Sequence, residues 1–269
     1  MKNAREDWKD YRRALTETVN EYPGRSIAIV GAGRCNDIEL SALDFEHITL
    51  IDVDAEAMKK AAAELSRSGG VNRVKEVSVV EASLTGITNE DTERFCEQVL
   101  TFLRKQGREL TPESFEGCLK NELDTLEKKL GMAEKALEQL LPEKSFDVVL
   151  CSGVCSQLFS LCSFFIRSAA QSVAYQLFPE AVASGERAGG RLARMNDRVI
   201  PVIDRALVKA AKKAAVFGNE DPTGSRVEGA YQSISFLREN YMPEERELMW
   251  NFNSAEGVRY RMRLQIVRI

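Results

Sequence analysis

The sequence predicts an α/β protein: a doubly wound, mostly parallel sheet of seven strands with an antiparallel C-terminal hairpin and a helical insertion. Three observations carry this expectation. Ile27-Ala-Ile-Val-Gly-Ala-Gly33 reads as a buried strand running into a glycine turn. Ile48-Thr-Leu-Ile-Asp-Val-Asp54 reads as a second apolar strand ending in acid, with Asp52 placed 19 residues after Gly33. At the C-terminus, Val258, Tyr260, Met262, Leu264 and Ile266 alternate with Arg259, Arg261, Arg263 and Gln265. That period of two belongs to a strand with one buried and one wet face. The earlier strands are apolar on both faces, as strands between two helical layers are.

The elements follow in order. Residues 3–21 predict a helix, because Trp8, Tyr11, Leu15 and Val19 recur at helical spacing and Pro23-Gly24 stops it. It is expected to pack on the sheet edge, or else to form a flap with Trp8 or Tyr11 touching a ligand. A strand at 26–30 leads to a helix from about Asn36 to Leu43. After the strand at 48–51, Asp54 caps a helix reaching about Ser66, with Ala57, Met58, Ala61 and Leu65 toward the sheet and Gly69-Gly70 ending it. A third strand covers 74–80.

About 60 residues then separate this strand from the next, Phe146-Asp-Val-Val-Leu-Cys151, far more than a crossover needs. The insertion, about 86–142, reads as two helices. One spans 89–105. The other starts at Thr111 with Pro112 in its first turn and continues through Phe115, Leu119, Leu126, Leu130 and Leu137 to Pro142. Its apolar stripe must cover the sheet, a second subunit or an active site. A helix at 156–178, a flexible break at Gly185–Gly190 and a helix at 195–213 follow. The last turn of that helix would carry Lys209, Lys212 and Lys213. Ala214–Gly218 is the fifth strand, and a helix lies within 224–240. Strands at 248–253 and from Val258 onward flank a turn at 254–257, and the arginine row is expected to be a solvated face that deters edge pairing. The whole chain, 1–269, is expected to form a single domain.

Composition narrows the function. With 44% hydrophobic and 29% charged residues the chain is an ordinary globular one, and a net charge of −4 argues against nucleic acid as a partner. No apolar run approaches the roughly 20 residues of a membrane span, and the N-terminus is too polar for a signal peptide. Six cysteines without a CxxC pair fit a reducing cytoplasm. The single histidine, His47, precedes the second strand on the rim opposite the expected pocket and reads as structural. A histidine triad is thereby nearly excluded, and no metal is expected. Cys151, Cys155 and Cys162 read as small packing thiols, since a nucleophilic cysteine would want a basic partner.

The glycine turn lets backbone approach a ligand, and a carboxylate after the next strand suits two ribose hydroxyls. On these residues the chain resembles the class I S-adenosylmethionine-dependent methyltransferases. Ile29-Val-Gly-Ala-Gly33 resembles their glycine loop, which lies under the methionine part of the cofactor. Leu50-Ile-Asp-Val-Asp54 with Met58 resembles the second motif, which implies that Asp52 binds the ribose and Val53 lies against adenine. In Val79-Val-Glu-Ala-Ser-Leu84, Ser83 or Ala82 stands where the adenine amino group is usually bound. Phe146-Asp-Val-Val-Leu-Cys-Ser-Gly-Val154 resembles the motif on the methyl-transfer side, followed by Gln157 and Leu158.

The resemblance implies S-adenosyl-L-methionine as cofactor, S-adenosyl-L-homocysteine as product, and cofactor contacts from Gly31, Ala32, Gly33, Asn36, Asp37, Asp52, Val53, Ser83, Leu84, Cys151, Ser152 and Gln157. The chain also departs from the pattern. Cys35 stands where a third glycine is common and costs about 1 kcal/mol or more if φ is positive there. The loop would then turn differently, Asn36 and Asp37 capping a helix and receiving the cofactor's amino group. The acid after the third strand is missing. No Asn-Pro-Pro-Tyr-like motif favours methylation of a nucleic-acid base.

A sulfonium methyl is already activated, so the protein chiefly positions the acceptor and excludes water. No catalytic residue is named. Glu220 and Asp221, which read as an ordinary polar turn before Pro222, and Tyr11 are the places to look for a base. A small-molecule acceptor and a homodimer through the insertion are the expected partners. Aminoalkyl transfer with the same cofactor, a nicotinamide-dependent oxidoreductase and a non-catalytic assembly protein are the alternatives.

Overall fold

The computed structural model describes residues 4–67, 73–221 and 230–269. Its seven strands are β1 (Ser26–Val30), β2 (His47–Asp52), β3 (Glu76–Glu81), β4 (Phe146–Ser152), β5 (Ala211–Glu220), β6 (Glu244–Asn253) and β7 (Val258–Arg268). They form one sheet in the order β3-β2-β1-β4-β5-β7-β6. The first five run parallel, and β7 pairs antiparallel with both β5 and β6. This is a Rossmann-like order, in which the direction of strand addition reverses between β1 and β4. Ligands bind open parallel sheets at such a point, outside the carboxyl ends of the strands.

Both faces of the sheet are covered, and the central strands show why they carry no polar face. Ala28 and Val30 of β1 enter one core, and Ile27 and Ile29 enter the other. Val149 and Cys151 against Val148 and Leu150 repeat this in β4. The second core is closed by α2 (Lys9–Asn20) and α3 (Ala55–Arg67); a short α1 (Ala4–Asp7) precedes them. The first core is closed by α4 (Asn89–Gln106), α5 (Pro112–Leu130), α6 (Ala133–Leu140), α7 (Ser160–Gln176), α8 (Ala181–Ala210) and α9 (Ala230–Tyr241).

Several elements differ from expectation. No α-helix spans 36–43; a three-residue 3₁₀ helix, Leu40–Ala42, is all that forms. Helix α2 competes for this segment: the Glu39 N–H donates to Thr16 Oγ1 at 3.0 Å, and the Glu39 carboxylate pairs with Arg12 at 3.2 Å. The second insertion helix is two, α5 and α6, separated at Gly131-Met132. Residues 185–190 are helical, not a break. Gly185 lies against Ala170 of α7, where an added Cβ would stand 2.5 Å from the alanine Cβ. A glycine there serves close helix packing, and α8 runs unbroken for 30 residues. It ends at Ala210, so Lys212 and Lys213 belong to β5 and not to a helical last turn. The arginine row is solvated at Arg259 and Arg261, as expected, but it does not guard an edge. β7 lies inside the sheet, and Arg263 is drawn into ion pairs with Asp221 at 2.7 Å and Glu245 at 3.0 Å. The expected ends of α3 at Gly69-Gly70 and the expected helical start at 224–229 lie outside the described residues.

The insertion's apolar stripe is spent inside the chain. Phe115, Leu119, Leu126, Leu130 and Leu137 are all buried in the core shared with α8. Arg187–Glu116 at 2.6 Å, Arg191–Asp124 at 2.5 Å and an Arg198–Glu127 pair run along the same seam. The stripe that suggested a dimer arm therefore has an intramolecular partner. Among the described residues, no helix is long and apolar enough to cross a membrane.

Candidate functional site

A cavity of about 400 Å³ opens at the carboxyl ends of β1, β2 and β4. The backbone builds its floor. After β1 the chain folds back over β2, with the Gly31 and Ala32 N–H groups donating to the Ile51 carbonyl at 2.8 and 3.2 Å. Gly31 and Gly33 take positive φ, +72° and +45°. Cys35 does so too, at +52°, and its N–H closes a tight turn onto the Ala32 carbonyl at 2.7 Å. The strain expected of a cysteine at that position is therefore present. Burial of the side chain among apolar neighbours offsets it and keeps the thiol protonated, its pKa driven well above the ordinary range.

Asp52 stands beside this loop. One carboxylate oxygen accepts from the Gly33 N–H at 3.0 Å and the other from the Asp54 N–H at 2.9 Å. Each oxygen keeps a further lone pair for a ligand hydroxyl. The next acid, Asp54, caps α3 by accepting from the Ala57 N–H at 2.9 Å.

Of the twelve residues the sequence singles out, eleven line this cavity: Gly31, Ala32, Gly33, Asn36, Asp37, Asp52, Val53, Ser83, Leu84, Ser152 and Gln157. Cys151 does not. Strand alternation turns it into the core under α7 and α8, while Ser152 faces the opposite layer. Asn36 and Asp37 cap no helix, since none follows them. Asp37 instead reaches Ser152, whose hydroxyl is hydrogen-bonded to the Tyr11 hydroxyl at 2.8 Å. Burial pushes the Asp37 carboxyl up to about 6. Ser83 is largely engaged in its own turn, donating to the Ile87 carbonyl at 2.6 Å and accepting from the Thr85 N–H at 3.3 Å.

The helix expected over 3–21 is interrupted at Trp8, which stands in the turn between α1 and α2 and joins the wall, while Tyr11 of α2 lies buried behind it without lining the cavity. Trp250 of β6 completes an aromatic end: its ring lies 4.8 Å from Trp8 edge to face and is stacked on Tyr11 at 5.2 Å. Sequence reading missed Trp250 because it lies in an antiparallel strand more than 200 positions from the glycine loop. It also missed Thr88, Asn89 and Thr92, which bring the start of the insertion to the cavity. Thr88 caps α4, and its capping box with Asp91 is formed.

Glu220 and Asp221 are not an exposed turn. Both are buried; Glu220 accepts from Ser156 Oγ at 3.0 Å and Asp221 pairs with Arg263. Neither lines the cavity. Cys155 and Cys162 are buried, and burial raises both thiol pKa values, Cys162 to about 11; Cys155 packs away from the cavity, whereas Cys162 also lines it. His47 stands at the start of β2, on the far rim, with Nδ1 3.3 Å from Glu76. Among the described residues, no cluster of His, Cys, Asp and Glu could hold a metal ion.

No protein-family model matches the chain, and no curated protein matches it significantly. Among solved structures it is similar to the N-methyltransferase NodS from Bradyrhizobium japonicum WM9, at 12% identity over 98% of this chain and 97% of that one, TM-score 0.46. It is also similar to magnesium protoporphyrin IX methyltransferase (ChlM) from Synechocystis PCC 6803 with bound SAM, at 9% identity over 100% of this chain and 85% of that one, TM-score 0.46.

Proposed function

We propose that the chain is an S-adenosylmethionine-dependent methyltransferase acting on a small-molecule acceptor. The observation that carries this reading is the meeting of Asp52 with the Gly31–Gly33 turn on one open cavity. Its volume falls within the roughly 300–1,000 Å³ of ligand sites. The residues fit such a cofactor: an acceptor pair for ribose at Asp52, the apolar Val53 beside it for the base, and the Asp37 carboxylate for the methionine ammonium.

The cofactor, when bound, supplies a methyl group already activated on sulfur. The chain's own work is then binding, orientation and exclusion of water. Asp52 fixes the ribose, and the glycine turn allows backbone approach. Gly153, Val154, Trp8 and Trp250 wall the end where an acceptor would enter. Among the described residues that line the cavity, none is a histidine or lysine. An acceptor that is nucleophilic without deprotonation by a strong base suits this wall.

The missing helix at 36–43 weighs against a nicotinamide dinucleotide. A pyrophosphate is held by a helix N-terminus after the glycine turn, and here the chain offers turns and the Asp37 carboxylate. A thermal-shift comparison tests the choice. S-adenosylhomocysteine at about 100 times its Kd stabilises by about 2.7 kcal/mol, so a rise of several degrees is expected, with none from NAD. A shift from NAD and none from S-adenosylhomocysteine would overturn the proposal.

Asp37 sets a pH dependence. Its carboxyl titrates near 6 in the free protein, and an ammonium beside it would favour the ionised form and lower that value. Between the two values binding releases a proton, so affinity rises with pH. Calorimetry should show S-adenosylhomocysteine affinity flat above about pH 7 and falling by up to tenfold per pH unit below about 6. Asp37→Asn should bind more weakly at pH 8 and lose this slope. An unchanged slope in that variant would remove Asp37 from the ammonium site.

A further inference from the structure

The adenine end of the cavity lacks the side-chain reader its strand position leads one to expect. Adenine presents an amino group that donates beside a ring nitrogen that accepts. Ala82 has no polar side chain, and its N–H already donates to the Asp52 carbonyl at 2.9 Å. The Ser83 hydroxyl donates to the Ile87 carbonyl. Glu81 ends β3 outside the cavity wall.

Asn89 supplies what is missing. It is the first residue of α4, lines the cavity and donates through Nδ2 to the Val53 carbonyl at 3.2 Å. A carbonyl can face only the donor end of an amide, so this bond fixes which way the side chain is turned. Oδ1 is left as an acceptor, and no protein group occupies it among the described residues. The helix does not need this side chain, because Thr88 and Asp91 form the capping box. Val53, whose carbonyl tethers Asn89, is itself the apolar residue beside the base site, so the amide and the base share one end of the cavity.

We infer that Asn89, carried by the helical insertion, is the residue that selects adenine by accepting from its exocyclic amino group through Oδ1. The inference rests on the cofactor reading above. It also gives the insertion a role in cofactor choice, since α4 is the only insertion helix that reaches the cavity among the described residues.

Calorimetry with S-adenosylhomocysteine and its 6-oxo analogue, S-inosylhomocysteine, tests it. The analogue presents an acceptor where adenine donates, so it should bind the wild type at least tenfold more weakly. Asn89→Ala should reduce that preference to about twofold or less, with the melting temperature of the free protein unchanged. Asn89→Asp keeps an acceptor toward the base but loses the donor to Val53, and should retain the preference. If Asn89 only braced the Val53 loop, the aspartate variant would instead behave like the alanine variant, and that result overturns the inference. A wild-type preference that survives in Asn89→Ala also overturns it while leaving the cofactor reading intact. Failure of the wild type to bind S-adenosylhomocysteine would remove both.

Discussion

Replacing Asp52 by alanine should weaken S-adenosylhomocysteine binding by about ten- to a hundredfold. The carboxylate organises two backbone donors, Gly33 N–H at 3.0 Å and Asp54 N–H at 2.9 Å, and offers its remaining lone pairs to the ribose. A hydrogen bond to a charged group contributes about 1.5–3 kcal/mol, and each 1.4 kcal/mol is a factor of ten. Alanine removes the ribose contact and frees the Gly33 N–H that holds the glycine turn against β2. Asparagine should not rescue binding. Its amide has one acceptor oxygen where two backbone donors converge, so an NH₂ group would face an N–H. Calorimetry on the three proteins, with circular dichroism to confirm folding, decides the matter. Equal affinities would place Asp52 outside the site.

Gly31→Ala should cost about 2–5 kcal/mol of stability. An alanine Cβ would stand 2.1 Å from Val154 Cγ2, and φ at this position is +72°. The left-handed conformation costs an L-residue about 1–2 kcal/mol. Overpacking adds about 1–3 kcal/mol, because valine is stiff about χ1 and cannot swing aside cheaply. In a chain of this size each kcal/mol shifts Tm by about 2 °C, so the expected fall is roughly 4–10 °C. Val154→Ala should relieve the clash but not the backbone strain, so in that background the same substitution should cost only about 1–2 kcal/mol. A double-mutant cycle by denaturant melts measures the difference, and additive costs would mean that Val154 does not press on the loop.

The parts of the fold legible in sequence were those whose local pattern matches their burial. β1, β2 and β4 are apolar on both faces because both faces are covered. Asp52 was legible because its spacing from the glycine turn follows from two parallel neighbours in register, Val30 against Ile51. What failed depended on distant partners. The segment 36–43 has the composition of a helix, but its N–H and carboxylate at Glu39 are taken by Thr16 and Arg12 of α2. The glycines at 185–190 read as a break because close packing on Ala170 cannot be seen from one helix alone. Glu220 and Asp221 read as solvent-exposed because Ser156 and Arg263, which pair with them, lie 64 and 42 positions away. Trp250 and Asn89 reach the cavity through the hairpin and the insertion, and no local motif marks either.

The most direct measurement is a crystal structure of the protein grown with S-adenosylhomocysteine. Its ribose hydroxyls should lie about 2.6–3.2 Å from the Asp52 carboxylate oxygens, with the adenine beside Val53 and the homocysteine ammonium toward Asp37. Density for the ligand at another place, or an empty cavity at saturating ligand, would contradict the assignment.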